Sequence, residues 1–226
     1  MSVIVLAVVG GYLLGTVSFA RIAARVALSG ADISVTEYEV PGTDTKWVYR
    51  GVSATSVLER AGWKWGVGVI VLDALKAFAP TMALRLAFPD SNAYLVVAVA
   101  VIAGHVWPVW WRFVGGRGQS TLLGALLAID VLSIPVSAIV GSIVGLVVFT
   151  SVYLARNMGP ALLVPWFALA AGPTEVVFAL SVNVIYWVAS RGDVAEELAA
   201  RRARGINDLP YPARLGQAWS DFFSED

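Results

Sequence analysis

The chain has no cysteine and a single histidine, His105. Disulfides, thiolate nucleophiles and cysteine-based metal sites are therefore excluded, and a histidine-based metal centre has no second ligand of its kind. Charge is scarce as well. Only 14% of the 226 residues are charged, where a soluble domain would carry about a quarter. The 16 basic and 16 acidic side chains cancel, and no basic tract suggests a nucleic-acid partner. The N-terminal apolar stretch lacks a basic leader and a convincing cleavage site, so it is expected to be a retained helix rather than a signal peptide.

What is present is hydrocarbon. Hydrophobic residues make up 58% of the chain, and the mean hydropathy is +0.74. Uncharged runs cover 1–20, 91–111, 131–155, 157–174 and 176–190. A spanning helix needs roughly 20 such residues, and backbone polar groups in lipid must be satisfied within the segment. The expectation is an all-α, polytopic membrane helix bundle with about seven spans, near 3–26, 66–87, 91–113, 120–133, 135–155, 158–172 and 175–190. The span at 120–133 is short, and Pro135 marks a break after it. With the N-terminus outside and the C-terminus cytoplasmic, 14 of the 16 basic residues fall on the inner side. Arg85 alone lies outside, and Lys76 sits within a span. That asymmetry sets the expected orientation, in an inner (plasma) membrane.

The expected organisation is a transmembrane domain over 1–192 and a cytoplasmic C-terminal helix and tail over 193–226. Within the first, 27–64 is too polar to span and is read as a cytoplasmic excursion. Ser53 is placed to cap a short interfacial helix there.

Four groups of residues can carry chemistry, and the tryptophans are assigned none. Gly115-Gly116-Arg117-Gly118 is a glycine-rich turn bearing one arginine at a cytoplasmic helix start. Glycines let backbone N–H groups converge on an anion, and the guanidinium adds a forked, permanent charge. Ser120 or Thr121 is expected to cap the following helix, making its N-terminus a phosphate site. The other reading of Arg117 is a basic loop flanking a span. Asp73 and Lys76 are three apart within an apolar span, on one helix face and within ion-pair reach. Buried charges of this kind serve function or lock helices together. His105 can act as a base, donate to a phosphate, or simply pack in the interior. Arg21 and Arg25 lie at the inner end of the first span, where positive-inside anchoring explains both and is the preferred reading of Arg21. The tryptophans, Trp107, Trp110 and Trp111 among them, suit an interfacial belt.

Taken in order, these pieces resemble the bacterial acyl-phosphate:glycerol-3-phosphate acyltransferases, the PlsY family. The resemblance covers about residues 10–192. Gly15-Thr16-Val17-Ser18-Phe19 lies where the family tends to have Gly-Ser-Ile-Pro-Phe, and Arg25 falls on a usual basic position. Gly30-Ala31-Asp32-Ile33 matches Gly-x-Asp-Ile. Ser53-Ala54-Thr55-Ser56-Val57-Leu58 lies on Gly-Ala-Thr-Asn-Val-Leu, and Asp73-Ala74-Leu75-Lys76-Ala77 on Asp-x-x-Lys-Gly. Residues 104–121 match Gly-His-x-Phe-Pro-Val followed by Gly-Gly-Lys-Gly-Val-Ala-Thr. The chain departs at Val48-Tyr49-Arg50-Gly51, where the family has Gly-Ser-Gly-Asn, at Ser56 for asparagine, and at Ser190-Arg191-Gly192-Asp193 for His-Arg-Glu-Asn. A polar insertion near 35–47 precedes the altered motif.

The resemblance implies a seven-span enzyme that moves a fatty acyl group from acyl phosphate to glycerol 3-phosphate. The product is lysophosphatidate, the active site is cytoplasmic, and no cofactor or metal is used. Acyl phosphate is already activated, so the protein has only to hold two anions, orient a hydroxyl and stabilise developing charge. The implied catalytic residues are His105 and Lys76. The implied substrate- and phosphate-binding residues are Arg117, Gly115, Gly116, Gly118, Ser120, Arg25, Arg50, Ser53, Ser56 and Asp73. The implied partners are the two substrates and membrane lipid. Other readings are an acyltransferase with a different acceptor, a non-catalytic lipid- or anion-binding subunit with a membrane partner, and an anion transporter.

Overall fold

The computed structural model describes residues 3–223. Eleven α-helices and one two-stranded β-hairpin are formed among them. Four helical stretches are long and apolar enough to cross a bilayer, at Val3–Ala27, Trp63–Ala87, Ala93–Trp111 and Pro173–Ala203. Three shorter apolar helices lie at Gln119–Ile129, Ser133–Val148 and Gly159–Ala170. The chain divides into two compact units.

The first unit holds Met1–Thr36, Arg50–Val131 and Leu180–Ser190. The first stretch, expected as one span, is two helices, α1 (Val3–Gly15) and α2 (Phe19–Ala27). They are separated at Thr16–Ser18 because Ser18 is extended and caps α2, its hydroxyl accepting from the Arg21 N–H at 3.4 Å. Two features of the polar excursion follow. One is the hairpin β1 (Val35–Glu39) and β2 (Lys46–Arg50), which the all-α expectation did not contain and most of which, Glu37–Tyr49, is assigned to the second unit. The other is α3 (Ala54–Ala61), which starts where expected, the Ser53 hydroxyl accepting from the Ser56 N–H at 3.1 Å. Beyond it run α4 (Trp63–Ala87), α5 (Ala93–Val106) and α6 (Gln119–Ile129).

Small residues set how closely these helices cross, as lipid-embedded packing requires. Gly15 of α1 and Gly104 of α5 face each other. A Cβ on Gly104 would lie 2.1 Å from the Tyr12 carbonyl oxygen and 3.1 Å from the Gly15 Cα. The Tyr12 hydroxyl donates to the Trp107 carbonyl at 2.8 Å, and the Trp110 indole N–H to Thr16 Oγ1 at 2.9 Å. These bonds pin the C-terminal end of α1 beside the C-terminal end of α5. Gly124 of α6 is pressed on Ala74 of α4 in the same way, its would-be Cβ 1.9 Å from the Ala74 carbonyl oxygen.

The second unit holds Glu37–Tyr49, Leu132–Ala179 and Arg191–Asp226. It contains α7 (Ser133–Ile143), a π-helical turn (Val144–Val148), α8 (Val152–Asn157) and α9 (Gly159–Ala170). Pro160 stands at the start of α9, where a missing N–H costs nothing. The helix α10 (Pro173–Ala203) runs well beyond the expected span end at 190. Its polar last turns carry Arg201, which donates to the Thr150 carbonyl at 2.5 Å. The stretch expected to trail off as a loose tail forms α11 (Tyr211–Phe223), packed through Ala218 on Leu146 and Ala155.

Candidate active site

Every candidate catalytic or binding residue named from the sequence lies in the first unit. At its centre is a buried charge cluster. The Lys76 Nζ lies 2.6 Å from Asp73 Oδ1, as the three-residue spacing required. Both side chains are only 2% exposed. The same ammonium donates to the Val17 carbonyl at 2.8 Å, in the break between α1 and α2, and contacts His105 Nδ1 at 3.0 Å. Its three donors thus meet three protein acceptors. Lys76 ties together α4, α5 and the α1–α2 corner.

The contact with Lys76 assigns the histidine tautomer when Lys76 is charged. An ammonium has only donors, so Nδ1 then accepts and the ring proton is placed on Nε2. The contact from Nδ1 to Asp73 Oδ1 is longer, at 3.5 Å. Nε2 then presents its N–H away from the ion pair. His105 is 10% exposed at the side chain, the least enclosed of the three.

What Nε2 faces is the glycine turn. A Cβ on Gly116 would lie 2.4 Å from His105 Nε2 and 2.9 Å from the Val52 carbonyl oxygen. A Cβ on Gly115 would lie 2.1 Å from the His105 carbonyl oxygen. Both glycines are there because the turn lies flat on the end of α5, held by the Gly116 N–H to the His105 carbonyl at 3.2 Å. Gly118 alone needs glycine for its backbone, at φ +88°, and it is the residue before the first turn of α6. Neither Ser120 nor Thr121 caps that helix, contrary to expectation. The Thr121 hydroxyl instead donates back to the Gly118 carbonyl at 2.8 Å, which leaves no side-chain cap on the α6 N-terminus.

A second segment runs alongside the turn. The Val52 N–H donates to the Gly115 carbonyl at 2.9 Å, and Arg117 Nη2 to the Arg50 carbonyl at 2.8 Å. Ser53 and the buried Ser56 follow directly, their hydroxyls 3.1 Å apart. The altered motif at 50–56 is therefore a wall of the same site. The Arg50 side chain is exposed there, and Arg117 is half-buried. Arg25 is exposed in the last turn of α2, with no contact drawing it into the cluster. Ser120 lies half-buried in the first turn of α6.

Three contributors escaped sequence reasoning. Arg21, expected only as an anchor, donates to the Val114 carbonyl at 2.7 Å and stacks its guanidinium 4.7 Å from the Trp111 ring centre. It braces the approach to the glycine turn. Gln119 donates to the hydroxyl of the buried Tyr186 at 3.0 Å. The Val17 carbonyl is backbone, and no side-chain pattern announces it. Nearby, the Asp32 carboxylate accepts from the Ser34 backbone N–H at 2.8 Å. Donation from the Ser34 side chain and then its backbone holds the Asp32 pKa below its usual value. Among the described residues no group of three histidine, aspartate or glutamate side chains is placed to hold a metal.

The arrangement offers one guanidinium, one imidazole N–H, and the N–H groups of a helix start, all facing one turn. Such a set binds and stabilises anionic oxygen. Comparison with known proteins agrees with this chemistry. The family model described as glycerol-3-phosphate acyltransferase matches residues 5–200. The glycerol-3-phosphate acyltransferase of Myxococcus xanthus (strain DK1622) is 33% identical over 168 residues, 74% of each chain. That of Sinorhizobium fredii (strain NBRC 101917 / NGR234) is 28% identical over 195 residues, 86% of this chain and 88% of the relative. The crystal structure of PlsY (YgiH), an integral membrane glycerol 3-phosphate acyltransferase in its glycerol 3-phosphate form, superposes with a TM-score of 0.70. That likeness runs at 25% identity over 88% of this chain and 94% of the other. A lysophosphatidic acid form of the same protein superposes at 0.68.

Proposed function

This chain belongs to the glycerol-3-phosphate acyltransferase family, and from that footing we propose how its own residues carry the reaction. The protein is a multi-pass membrane enzyme that transfers an acyl group from acyl phosphate to glycerol 3-phosphate and makes lysophosphatidate. The observation that carries the assignment of residues is the convergence of His105 Nε2, Arg117 and the start of α6 on one glycine turn, with Arg50 and Ser53 beside it.

In this reading Arg117 and the N–H groups after Gly118 hold the phosphate of the acyl phosphate, with Gly115, Gly116 and Ser120 shaping the cradle. The Arg50 side chain, on the adjoining wall, receives the phosphate of glycerol 3-phosphate. Arg25, exposed at the end of α2, is a further cation of the same unit. Ser53 and Ser56 fix the start of α3, and hence the position of Arg50. The acceptor hydroxyl attacks the acyl carbonyl carbon, an ester C–O bond forms, and the bond from carbonyl carbon to phosphate oxygen breaks. The hydroxyl proton passes to a phosphate oxygen, and inorganic phosphate leaves. The His105 N–H donates to the oxygen that gains charge. Lys76 and Asp73 touch no substrate in this scheme. They are positioning residues that lock the His105 tautomer and its orientation.

The chain crosses the membrane seven times, with the N-terminus outside and the site on the cytoplasmic side. The supporting evidence is the basic asymmetry together with four long and three short apolar helices. Purified protein given palmitoyl phosphate and glycerol 3-phosphate tests the reading. Lysophosphatidate and phosphate are expected in equal amounts. Absence of both, from folded protein, rejects it.

A further inference from the structure

The helix α11 lies beyond the family-matched region, which ends at residue 200. It is strongly amphipathic, and its apolar face is aromatic. Ala218 is buried against Leu146 and Ala155, with Phe222 packed on them. The Tyr211 hydroxyl donates to the Val147 carbonyl at 2.7 Å, and Arg204 pairs with Asp221 at 2.7 Å. The helix is therefore held at its start on the π-helical turn and near its end on Arg204, which follows α10.

Between α11 and α7 this packing leaves an open cavity of about 350 Å³. Its lining includes Ala138, Ile139, Ser142 and Ile143 of α7 and Trp219 and Phe222 of α11. Polar side-chain groups are few: the Ser142 hydroxyl is spent on the Ala155 carbonyl at 3.0 Å, and the Trp219 indole N–H is the other. The rest of the lining is hydrocarbon and aromatic surface. Its rim is different. Arg156 is exposed, with its guanidinium 5.9 Å from the ring centre of Phe222. A cation thus stands at the edge of an apolar groove, on a protein that lives in a bilayer.

We propose that this groove seats one acyl chain of an anionic phospholipid from the surrounding membrane, with Arg156 on the lipid phosphate. The groove matches hydrocarbon, and the guanidinium matches a phosphate by its fork of donors. Charge complementarity selects an anionic lipid over a zwitterionic one. The site is distinct from the glycine turn and does not depend on how catalysis is assigned. It is a property of the C-terminal helix that this chain adds to the family-matched region.

Native mass spectrometry of the full chain, released from nanodiscs of equal parts phosphatidylglycerol and phosphatidylcholine, tests it. The wild type should retain phosphatidylglycerol over phosphatidylcholine. Ala138→Trp fills the groove from an exposed position and should remove one retained lipid. Arg156→Gln should cut the preference for phosphatidylglycerol by roughly fivefold, the weight of one arginine near an anionic surface. Circular dichroism checks that both variants are folded. Equal retention of the two lipids by the wild type overturns the proposal. So does an unchanged preference in Arg156→Gln, which is decisive even where Ala138→Trp fails to fold. Specific dimers in place of lipid adducts, lost in Ala138→Trp, overturn it in favour of a second copy of the chain.

Discussion

Arg85, at the end of α4, donates to the carbonyl of Ile129 at the end of α6, 3.0 Å away, and also to that of Ala128. The helix α6 has 11 residues, about 16 Å at 1.5 Å per residue, and falls short of a roughly 30 Å hydrocarbon core. Its last carbonyls therefore need donors where water is scarce. Arg85, the one basic residue expected on the outer side, supplies them and places its charge at the negative end of the helix dipole. Arg85→Met should lower stability by about 1–3 kcal/mol, the cost of orphaned acceptors, and Arg85→Lys should recover part of it. Thermal unfolding in detergent measures this, and turnover below the transition should persist. An unchanged transition in Arg85→Met rejects the capping role.

The glycine turn makes a steric prediction. In Gly116→Ala the new methyl would sit 2.4 Å from His105 Nε2 and 2.9 Å from the Val52 carbonyl oxygen. Either the imidazole or the 50–52 wall has to move, and displacements near 1 Å cost on the order of 100-fold in rate. Gly68→Ala, where nothing lies within 4 Å of the new atom, should be neutral or slightly stabilising in the interior of α4. Steady-state rates of the two variants make the comparison. Equal rates mean that the imidazole is not held against the turn for catalysis.

Arg117→Ala should weaken binding of a phosphorylated ligand by about 1.5–3 kcal/mol, the scale of a charge-assisted hydrogen bond. Part of any loss is structural, because the guanidinium also donates to the Arg50 carbonyl. Arg117→Lys separates the two effects. It keeps a charge but cannot reproduce the fork. Isothermal titration with inorganic phosphate, standing in for the phosphate of acyl phosphate, is the measurement, and glycerol 3-phosphate, assigned to Arg50, is the control. Unchanged affinity in folded Arg117→Ala removes Arg117 from the site.

Much of this was legible in the sequence. Uncharged runs located the apolar segments. The spacing of Asp73 and Lys76 foretold their contact, since residues three apart on a helix must meet. The serine at 53 announced the start of α3. Other features were hidden because they depend on long-range packing. The Val17 carbonyl is an acceptor only because α1 breaks at Thr16–Ser18, and nothing local to Lys76 says so. The glycines at 115 and 116 suggested anion binding through backbone freedom. Their immediate cause is that the end of α5 leaves no room for a Cβ. The hairpin at 35–50 was masked by its turn-like composition, and α11 by its short length and the Pro210 and Pro212 at its start.

Orientation is open to a clean test, because the chain has no native cysteine to replace. Ser91→Cys lies in the connection between α4 and α5, and Ser220→Cys lies on α11. With the N-terminus outside and seven crossings, an impermeant maleimide applied to intact cells should label position 91 and spare position 220. Permeabilisation should expose position 220. Labelling of position 220 from outside would mean that the basic residues lie on the wrong face.

The buried cluster separates a positioning role from a structural one. Removing a single member of the Asp73–Lys76 pair leaves an uncompensated charge in an apolar surround, which costs about 3–5 kcal/mol. Lys76→Met and Asp73→Asn should each melt well below the wild type. Asp73→Asn/Lys76→Met leaves neither charge and should regain much of that loss, a non-additive cycle. Stability alone does not decide function, because a purely structural pair behaves identically. The deciding measurement is turnover by the refolded-stable double mutant. With Lys76 gone, Nδ1 of His105 loses its donor at 3.0 Å, and the proton is no longer fixed on Nε2. If that tautomer serves the reaction, the double mutant should fold, bind glycerol 3-phosphate with near wild-type affinity and lose kcat by 100-fold or more, the scale of a lost general acid or oxyanion donor. A double mutant that is stable and fully active would show that the pair only holds α4, α5 and the α1–α2 corner together.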